Sequence, residues 1–299
     1  MTATAFRLEL TTDPAAFLAG AADHLAADPV LTTVVASVTA RAVAEDERGE
    51  PRPDHPRWWV TVRDGSEAVV GVGMRTAPYP HQAYLLPMPE EAAVALARLL
   101  HERGEAVGGV NGVLTSATAF AEETARLAGG TAEVHEHMRL WELGALVPHE
   151  APGRLRPATV ADVALATEWW NGFHAMAAEM AGRAPDARGA EAISEAELAR
   201  RVEAGQVWLW EDDGGEVVHL THANAPAHGV ARIGPVLTPR EHRRRGYASA
   251  AVAGVSGRLL AVGHRACLFT DQANPTSNRI YAAIGYQPVV DMVNLIVRP

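Results

Sequence analysis

The sequence predicts an α/β protein built from two domains that share one order of helices and strands. The chain has 299 residues, about twice the length of a typical domain. In both halves, runs with apolar residues at helical spacing alternate with short β-rich runs. The second half follows the order α, α, β, β, β, α, β, α, β, and the first half repeats it more faintly. The repetition is one of element order and not of residue identity.

The first half contains every element of this order. Apolar spacing, turn residues and β-rich composition predict, in sequence, two helices (13–45), a hairpin turning at Asp64-Gly65 (57–77), a strand (82–88), a helix (89–104), a strand (111–116), a helix (117–129) and a strand (132–143). The segment 147–157 is rich in proline and glycine, which is typical of a linker. We therefore expect domains at 1–148 and 149–299.

The second half gives a clearer pattern. It predicts, in sequence, a helix (159–180), a loop (181–190), a short helix (194–205), a hairpin of two strands (206–212 and 216–224), a strand (230–239), a helix (248–261), a strand (264–271), a helix (276–285) and a final strand (287–298). Ser194 and Glu197 have the spacing of a capping box at the start of the short helix.

Composition restricts the possible partners and compartment. No apolar run approaches the ~20 residues of a membrane span, and residues 1–17 lack a basic start followed by an apolar core. We expect a cytoplasmic protein without a membrane partner. The single Cys267 excludes an intramolecular disulfide and a multi-cysteine zinc site.

The net charge of -10 lies entirely in the first half. Residues 1–150 hold 11 Arg and 21 Asp or Glu, whereas residues 151–299 hold 15 of each class, and the chain contains no lysine. Nucleic acid is therefore an improbable partner, because such binding depends on neutralising phosphates. The arginine-only, alanine-rich composition indicates a bacterial gene of high GC content.

The stretch 243–248, "RRRGYA", lies between a strand and a helix. A helix start presents unpaired N–H groups at the positive end of the helix dipole and attracts phosphate. Gly246 allows the backbone to turn and a large anion to approach, small Ala248 leaves room, and the arginines add donors for phosphate oxygens. The stretch predicts a pyrophosphate-binding site, although taken alone it also fits a solvent-exposed basic turn.

Two motifs in this half resemble the GNAT superfamily of N-acetyltransferases. The first is Gln/Arg-x-x-Gly-x-Gly/Ala between the fourth strand and the third helix, represented here by Arg243, Gly246 and Ala248. In the second, an Asn begins a helix that carries a Tyr and ends at a Gly-aromatic pair. The matching positions are Asn278, Tyr281, Gly285 and Tyr286. The motifs occur in the family's order, with a strand between them, and span about 60 residues.

The resemblance implies a mixed, mostly antiparallel, splayed sheet in each domain and an acetyl-CoA site in the second. Acetyl-CoA would be the co-substrate, and no metal would be needed. The pyrophosphate would bind the backbone amides of 244–248, with Arg243 and Arg244 beside the phosphates. These amides belong to Arg244, Arg245, Gly246, Tyr247 and Ala248.

The resemblance assigns the remaining cofactor contacts to two other segments. The backbone of Val236, Leu237 and Thr238 would pair with the pantetheine arm like an added strand and polarise the acetyl carbonyl. Asn278 would hydrogen-bond the arm, and the site also includes Asn274 in the preceding turn. Tyr281 would protonate the departing thiolate; its alternative role is that of a packed helical aromatic residue.

The first half departs from the family pattern at the corresponding point. Its segment 85–100, "LLPMPEEAAVALARLL", has no glycine or arginine before the helix, and Glu90 and Glu91 fall in the first turn. Carboxylates there would repel pyrophosphate. We expect a degenerate copy without an acetyl-CoA site. Tandem copies with only the C-terminal member active are known in the superfamily.

Acetyl transfer to an amine requires removal of an amine proton. The candidate bases are Glu168 on a helix, His222 on a strand and Asp271 at a strand end. Strand alternation places His219 and Thr221 on one face and His222 on the other, and both histidines could instead be ordinary buried residues. No H-x-x-x-H pair or carboxylate partner recurs at metal-ligand spacing on one element. His135 and His137 fall on one face of a strand and could chelate a metal, but we expect no metal site.

These inferences predict an acetyltransferase that moves an acetyl group directly to a primary amine of a small molecule. A protein or peptide acceptor, a longer acyl group, and an acetyl-CoA sensor without turnover remain alternatives. The sequence does not distinguish a monomer from a homodimer, and it does not identify the acceptor.

Overall fold

The computed structural model describes residues 6–184 and 192–298, so the second part of the expected loop at 181–190 lies outside the described residues. The chain divides into two compact units, Met1–Met138 together with Val290–Pro299, and Arg139–Val289. The expected boundary at 148/149 differs from this division at two places, since residues 139–148 group with the second unit and residues 290–299 with the first. The last ten residues group with the first unit, because the final strand pairs with a strand of that unit.

Among its described residues the first unit contains five whole strands, four helices and a sixth strand as far as Met138, and the last residues of the final strand complete it. They are β1 (Arg7–Thr11), α1 (Pro14–Ala27), α2 (Thr33–Glu47), β2 (Trp58–Arg63), β3 (Val69–Arg75), β4 (Ala83–Leu85), α3 (Glu90–Glu102), β5 (Gly109–Val113), α4 (Leu114–Ala128) and β6 (Thr131–Leu143). The strand order begins β1-β2-β3-β4-β5, and only the β4–β5 pair of these is parallel.

The second unit follows the same plan. Its elements are β7 (Arg154–Pro157), α5 (Val163–Met180), α6 (Glu195–Glu203), β8 (Val207–Glu211), β9 (Val217–Ala223), β10 (Val230–Leu237), α7 (Tyr247–Ala261), β11 (Arg265–Asp271), α8 (Pro275–Ile284) and the first residues of β12 (Tyr286–Arg298). The strand order is β11-β10-β9-β8-β7, with β10–β11 parallel and the other pairs antiparallel.

Helices cover both faces of the second sheet. Leu198 of α6 packs with Leu209 and Leu220 in one core, whereas Val252 of α7 and Ile284 of α8 lie in another. Trp169 and Trp170 pack against the first of these cores. The described helices include none with both the length and the apolar character needed to cross a membrane.

The structure contains two strands, β1 and β7, that the sequence did not predict. β1 alternates Leu8 and Leu10 with polar residues and pairs with β2. β7 lies inside the expected linker 147–157, where it pairs with β8. Its strand structure is stabilised by Arg154 and Arg156, which both bind the carboxylate of Glu211. A segment of four residues rich in arginine and ending in proline carries too little β signal for the sequence to reveal it.

Candidate functional site

A β-bulge in β10 shapes the candidate site. Ile233 pairs with Ala223 of β9, but Val236 pairs with Thr221, so β10 holds one extra residue between these pairs. Gly234 lies in the bulge with a φ of 146°, a backbone conformation that residues other than glycine rarely adopt. The bulge therefore depends on glycine at this position.

Beyond the bulge, β10 separates from β11. The parallel β10–β11 pairing runs from Val230↔Arg265 to Ile233↔Leu268, whereas β9 follows β10 as far as Leu237↔Leu220. We name residues 234–238 the open segment, because a strand neighbour accompanies it on one side only. The segment contains Val236, Leu237 and Thr238, whose backbone the sequence assigned to the pantetheine arm.

A tight turn connects the open segment to α7. After a 3₁₀ turn at Arg240–His242, Arg244 has a φ of 65° and Gly246 a φ of 84°. Gly246 is the N-cap of α7 and provides no side-chain cap. We name residues 243–249 the cradle. Within the described residues, the backbone amides of 244–249 have no hydrogen-bond partner, and they lie at the positive end of the helix dipole.

The three arginines of the cradle have different environments. Arg243 donates from Nε to the Thr238 carbonyl at 3.1 Å, and its Nη2 is buried without a hydrogen-bond partner in the described part of the chain. Arg244 and Arg245 are exposed. Arg243 therefore braces the open segment, while Arg244 and Arg245 extend into solvent, where an anion on the cradle could meet them.

The two residues after Gly246 contribute backbone groups to the cradle. The Tyr247 side chain is buried in a hydrophobic core, with its ring 6.4 Å from that of Trp210. Ala248 is half-buried in the first helical turn. The Tyr247 side chain is thus a packing residue, and only its amide faces the cradle.

Tyr281 lies on α8, close to the open segment. Its side chain belongs to the same hydrophobic cluster as Ile233 and the half-buried Val236, and its ring centroid is 6.0 Å from that of Tyr286. Burial raises the pKa of the Tyr281 phenol above its ordinary value. The phenol is therefore protonated at neutral pH.

Asn274 and Asn278 both organise the start of α8. Asn274 Oδ1 accepts from the amides of Thr276 and Ser277 at 3.2 Å, which makes it the N-cap. Asn278 Oδ1 accepts from the Thr270 hydroxyl at 2.6 Å, and its amide donates to the Asn274 carbonyl at 2.8 Å. The sequence did not indicate these local roles, and the contact of either residue with a pantetheine arm stays a prediction.

The three candidate bases are not equivalent. Glu168 is exposed on α5, and no hydrogen bond or ion pair involves it in the described chain. Asp271 forms an ion pair with Arg183 and accepts from the Ala273 amide at 2.8 Å. His222 is only 1% exposed. The Glu168 carboxylate is therefore accessible to solvent, whereas Asp271 is bonded to neighbouring groups and His222 is buried.

His219 is an internally bonded residue. Its ring nitrogens lie 2.7 Å from the hydroxyls of Thr238 and Thr221, which confirms that His219 and Thr221 share one face of β9. Burial lowers the pKa of His219 to about 3. The ring is therefore neutral throughout the physiological range.

A groove of about 550 Å³ lies between α5 and the turn that precedes the cradle. It is lined by Met176, Glu179, Arg183, Arg240 and Arg243, among others. Arg240 pairs with Glu179 at 2.6 Å. The sequence gave Arg240 no role and did not single out Arg183, because side chains from distant segments meet only in the folded chain.

The corresponding region of the first unit has a different structure. All three residues of β4 pair with β5, from Ala83↔Val110 to Leu85↔Gly112, so these strands do not separate. The exposed Glu90 and Glu91 occupy the first turn of α3. Among residues 6–184 and 192–298, no cluster of three His, Cys, Asp or Glu side chains could hold a metal ion.

Comparisons with known proteins found one matching family model and several solved structures of similar fold. A model of the FR47-like protein family matches residues 217–294, which include the open segment, the cradle and α8. A Drosophila structural-genomics protein is similar over 98% of both chains, with a TM-score of 0.69 and 15% identity. No curated protein matches the sequence.

Two further solved structures carry GNAT names. A GCN5-related N-acetyltransferase from Sphaerobacter thermophilus has a TM-score of 0.58 and 17% identity, over 98% of this chain and 96% of that one. A tandem GNAT protein from the clavulanic acid biosynthesis pathway has a TM-score of 0.54 and 13% identity, over 99% of each. The chain thus has the GNAT fold in the tandem arrangement, and the predicted α/β fold class is confirmed.

Proposed function

We propose that the protein is an acetyl-CoA-dependent N-acetyltransferase whose second unit carries the active site. The observation that carries this proposal is the continuity of the open segment with the cradle. A strand that has lost one neighbour leads directly to a helix start whose amides are unpaired. One region can add an extended arm by backbone pairing, and the other can bind a pyrophosphate.

Acetyl-CoA would lie along these two regions. The cradle amides, with Arg244 and Arg245, bind the pyrophosphate, and the arm pairs with residues 236–238. Because the Thr238 carbonyl already accepts from Arg243, the amides of Val236 and Thr238 are the more available donors to the arm and the acetyl carbonyl.

The reaction transfers the acetyl group in a single step. The neutral amine nitrogen attacks the thioester carbonyl carbon, a C–N bond forms, and the C–S bond breaks with its electron pair on sulfur. Tyr281 protonates this thiolate from its buried phenol. Glu168, directly or through water, accepts the proton that the amine loses, since its exposed carboxylate is the candidate base without an internal partner.

The acceptor that we propose is a small-molecule primary amine. The groove beside the cradle has the volume of a small-molecule site and presents carboxylate and guanidinium groups near its apolar Met176. The first unit, with closed strands and an acidic helix start, is proposed to be a copy without an acetyl-CoA site. A protein acceptor and a sensor without turnover are the competing proposals.

Replacement of Gly246 tests the cradle. Gly246→Asp places a negative charge beside the pyrophosphate and should weaken acetyl-CoA binding by at least about 100-fold. A Cβ at 246 would be 3.6 Å from the Glu150 carbonyl, an ordinary contact, and the φ of 84° would cost a residue other than glycine about 1 kcal/mol, so the fold should persist. Gly246→Asn adds a side chain of similar size without the negative charge, so it should weaken acetyl-CoA binding less than Gly246→Asp does.

Gly263→Asp is the matched control. Gly263 has a similar φ of 81°, with nothing within 4 Å of an added Cβ, and it lies just beyond the opposite end of α7. This variant should bind acetyl-CoA as the wild type does. Equal affinities for Gly246→Asp and wild type would refute the cradle.

A panel of small amines and peptides, with release of the CoA thiol as the readout, tests turnover. The proposal expects activity on a small amine and at least a 10-fold lower kcat in Tyr281→Phe. Activity confined to peptides would favour the protein acceptor. Tight acetyl-CoA binding, no turnover, and unchanged affinity in Tyr281→Phe would favour the sensor.

A further inference from the structure

Two histidines of β9 hold the open segment at its two ends. His222 Nδ1 lies 2.7 Å from the carbonyl oxygen of Gly234, where the bulge begins. His219 Nδ1 lies 2.7 Å from the hydroxyl of Thr238, the last residue of the segment. One β9 residue thus bonds the first residue of the open segment, and another bonds the last.

The open segment needs such support more than the rest of β10. Residues 230–233 of β10 are held by backbone pairing with β11, and this pairing is lost from Gly234 onward. The bulge also interrupts the β9 ladder, since no register pair joins Gly234 or Pro235 to β9. A segment with fewer backbone hydrogen bonds opens more easily, and any disorder would have to be removed when a ligand binds.

Both histidines are themselves firmly oriented. The Gly234 carbonyl can only accept a hydrogen bond, so His222 Nδ1 carries the proton. The imidazole also packs edge-on against the Trp170 ring, with the ring centroids 4.8 Å apart. The second nitrogen of His219 bonds the Thr221 hydroxyl, and burial keeps this ring neutral. Each ring therefore acts as a hydrogen-bonding group with a fixed orientation.

We propose that His219 and His222 are positioning residues that hold residues 234–238 ready to pair with the acetyl-CoA arm. This inference rests on the proposed function and deepens it. It also reassigns His222, since its proton is engaged with the backbone of the bulge and the side chain is only 1% exposed. His222 acts through Gly234 and not on the amine.

Replacement of His222 by asparagine and by leucine distinguishes a positioning role through Gly234 from a role as the catalytic base. The amide nitrogen of asparagine occupies nearly the place of Nδ1 and can still donate to Gly234, whereas leucine cannot. His222→Leu should weaken acetyl-CoA binding by about 10-fold, the effect of one lost hydrogen bond. His222→Asn should recover most of this loss and keep the wild-type pH profile of kcat/KM.

Thr238→Val tests the other end, because valine keeps the shape of threonine but loses the hydroxyl that faces His219. It should also weaken binding several-fold. Leu209→Ala is the control, since Leu209 is fully buried on β8 and lies outside the open segment. This variant should unfold at lower denaturant concentration while binding acetyl-CoA with wild-type affinity.

Three results would overturn the inference. They are unchanged affinity in both His222→Leu and Thr238→Val, equal losses in His222→Asn and His222→Leu, and loss of the acidic limb of the pH profile of kcat/KM in His222→Asn. The last result would restore His222 as the base. Failure of the wild-type protein to bind acetyl-CoA would instead refute the proposed function, so the two failures are distinguishable.

Discussion

Arg244 combines a functional position with a strained backbone. Its φ of 65° lies in the left-handed region, which costs a residue other than glycine about 1 kcal/mol. Its side chain is exposed and has no packing role that explains this conformation. Strain of this kind is common at ligand-binding sites.

Arg244→Gly should therefore stabilise the fold and weaken binding at once. We expect the free energy of unfolding to rise by up to about 1 kcal/mol, because glycine adopts this φ without strain. Acetyl-CoA affinity should fall several-fold with the loss of one guanidinium. Denaturant unfolding and calorimetry measure the two effects. Arg245→Gly, where φ is not left-handed, should weaken binding without the gain in stability, and a stabilised variant with unchanged affinity would contradict the role of Arg244.

His219 predicts a pH dependence of stability. Its pKa is lowered to about 3 in the folded chain from an ordinary value of about 6.5, so between these values the unfolded chain binds more protons. The free energy of unfolding should fall as the pH drops below 6.5, by a total on the order of a few kcal/mol at pH 3. His219→Gln should show a shallower slope between pH 4.5 and 6.5 in denaturant titrations. Identical slopes would show that His219 is not buried and neutral.

The sequence predicted some of these residues and not others, for a physical reason. Gly246 and Tyr281 belong to short motifs whose spacing is visible along the chain. The bonds of His222 to Gly234 and of Arg183 to Asp271 join residues 12 or more positions apart. Such contacts depend on strand register and on the position of α5, and no local pattern encodes them.

Among the elements, α7 and α3 show how one arrangement gives two different helix starts. α7 begins after a glycine in the left-handed region, and its first amides are unpaired. α3 begins after Pro89 with two glutamates in its first turn. Those carboxylates interact favourably with the helix dipole and occupy the place where an anion would bind.

Neutralising the glutamates should not restore a second site. In Glu90→Gln combined with Glu91→Gln, the repulsion is removed but β4 remains paired with β5 along its whole length, so no arm can be added there. Calorimetric titration with acetyl-CoA should give the wild-type stoichiometry. A second equivalent of bound acetyl-CoA would show that charge alone inactivates the first unit.

Apolar periodicity predicted the order of most helices and strands, but it did not predict the first strands, β1 and β7. The hairpin signals at Asp64 and at 213–215 correctly located their turns. β1 and β7 were missed because each has only four or five residues, and both lie beside segments dominated by stronger helix or linker signals. The separation of β10 from β11 was expected from the family resemblance, and the bulge at Gly234 provides its physical cause.

At the scale of the whole molecule, the C-terminal strand determines how the units are composed. Residues 292–296 pair with β5, and Val293, Leu295 and Val297 lie in the core of the first unit. The sequence placed the whole strand in the second domain, because a linear boundary cannot reveal a segment that returns to an earlier part of the chain. Relative to the expected division at 148/149, residues 290–299 group with the first unit and residues 139–148 with the second.

This arrangement predicts unequal effects for two neighbouring valines. Val293 is fully buried in the first unit, whereas Val289 is 42% exposed. Val293→Asp should lower the free energy of unfolding by about 3 kcal/mol or more, because it buries a carboxylate without a partner, and Val289→Asp should change it by less than about 0.5 kcal/mol. Thermal unfolding provides the comparison. Equal effects would contradict the assignment of residues 290–299 to the first unit.

The central claim is that one of two similar units binds acetyl-CoA, and the stoichiometry of binding tests it most directly. Calorimetric titration of the whole chain should give one acetyl-CoA per chain, and Gly246→Asp should abolish the signal. Two molecules per chain would show that the first unit is functional despite its closed strands. No binding would show that the open segment and the cradle belong to a protein with the fold but without the activity.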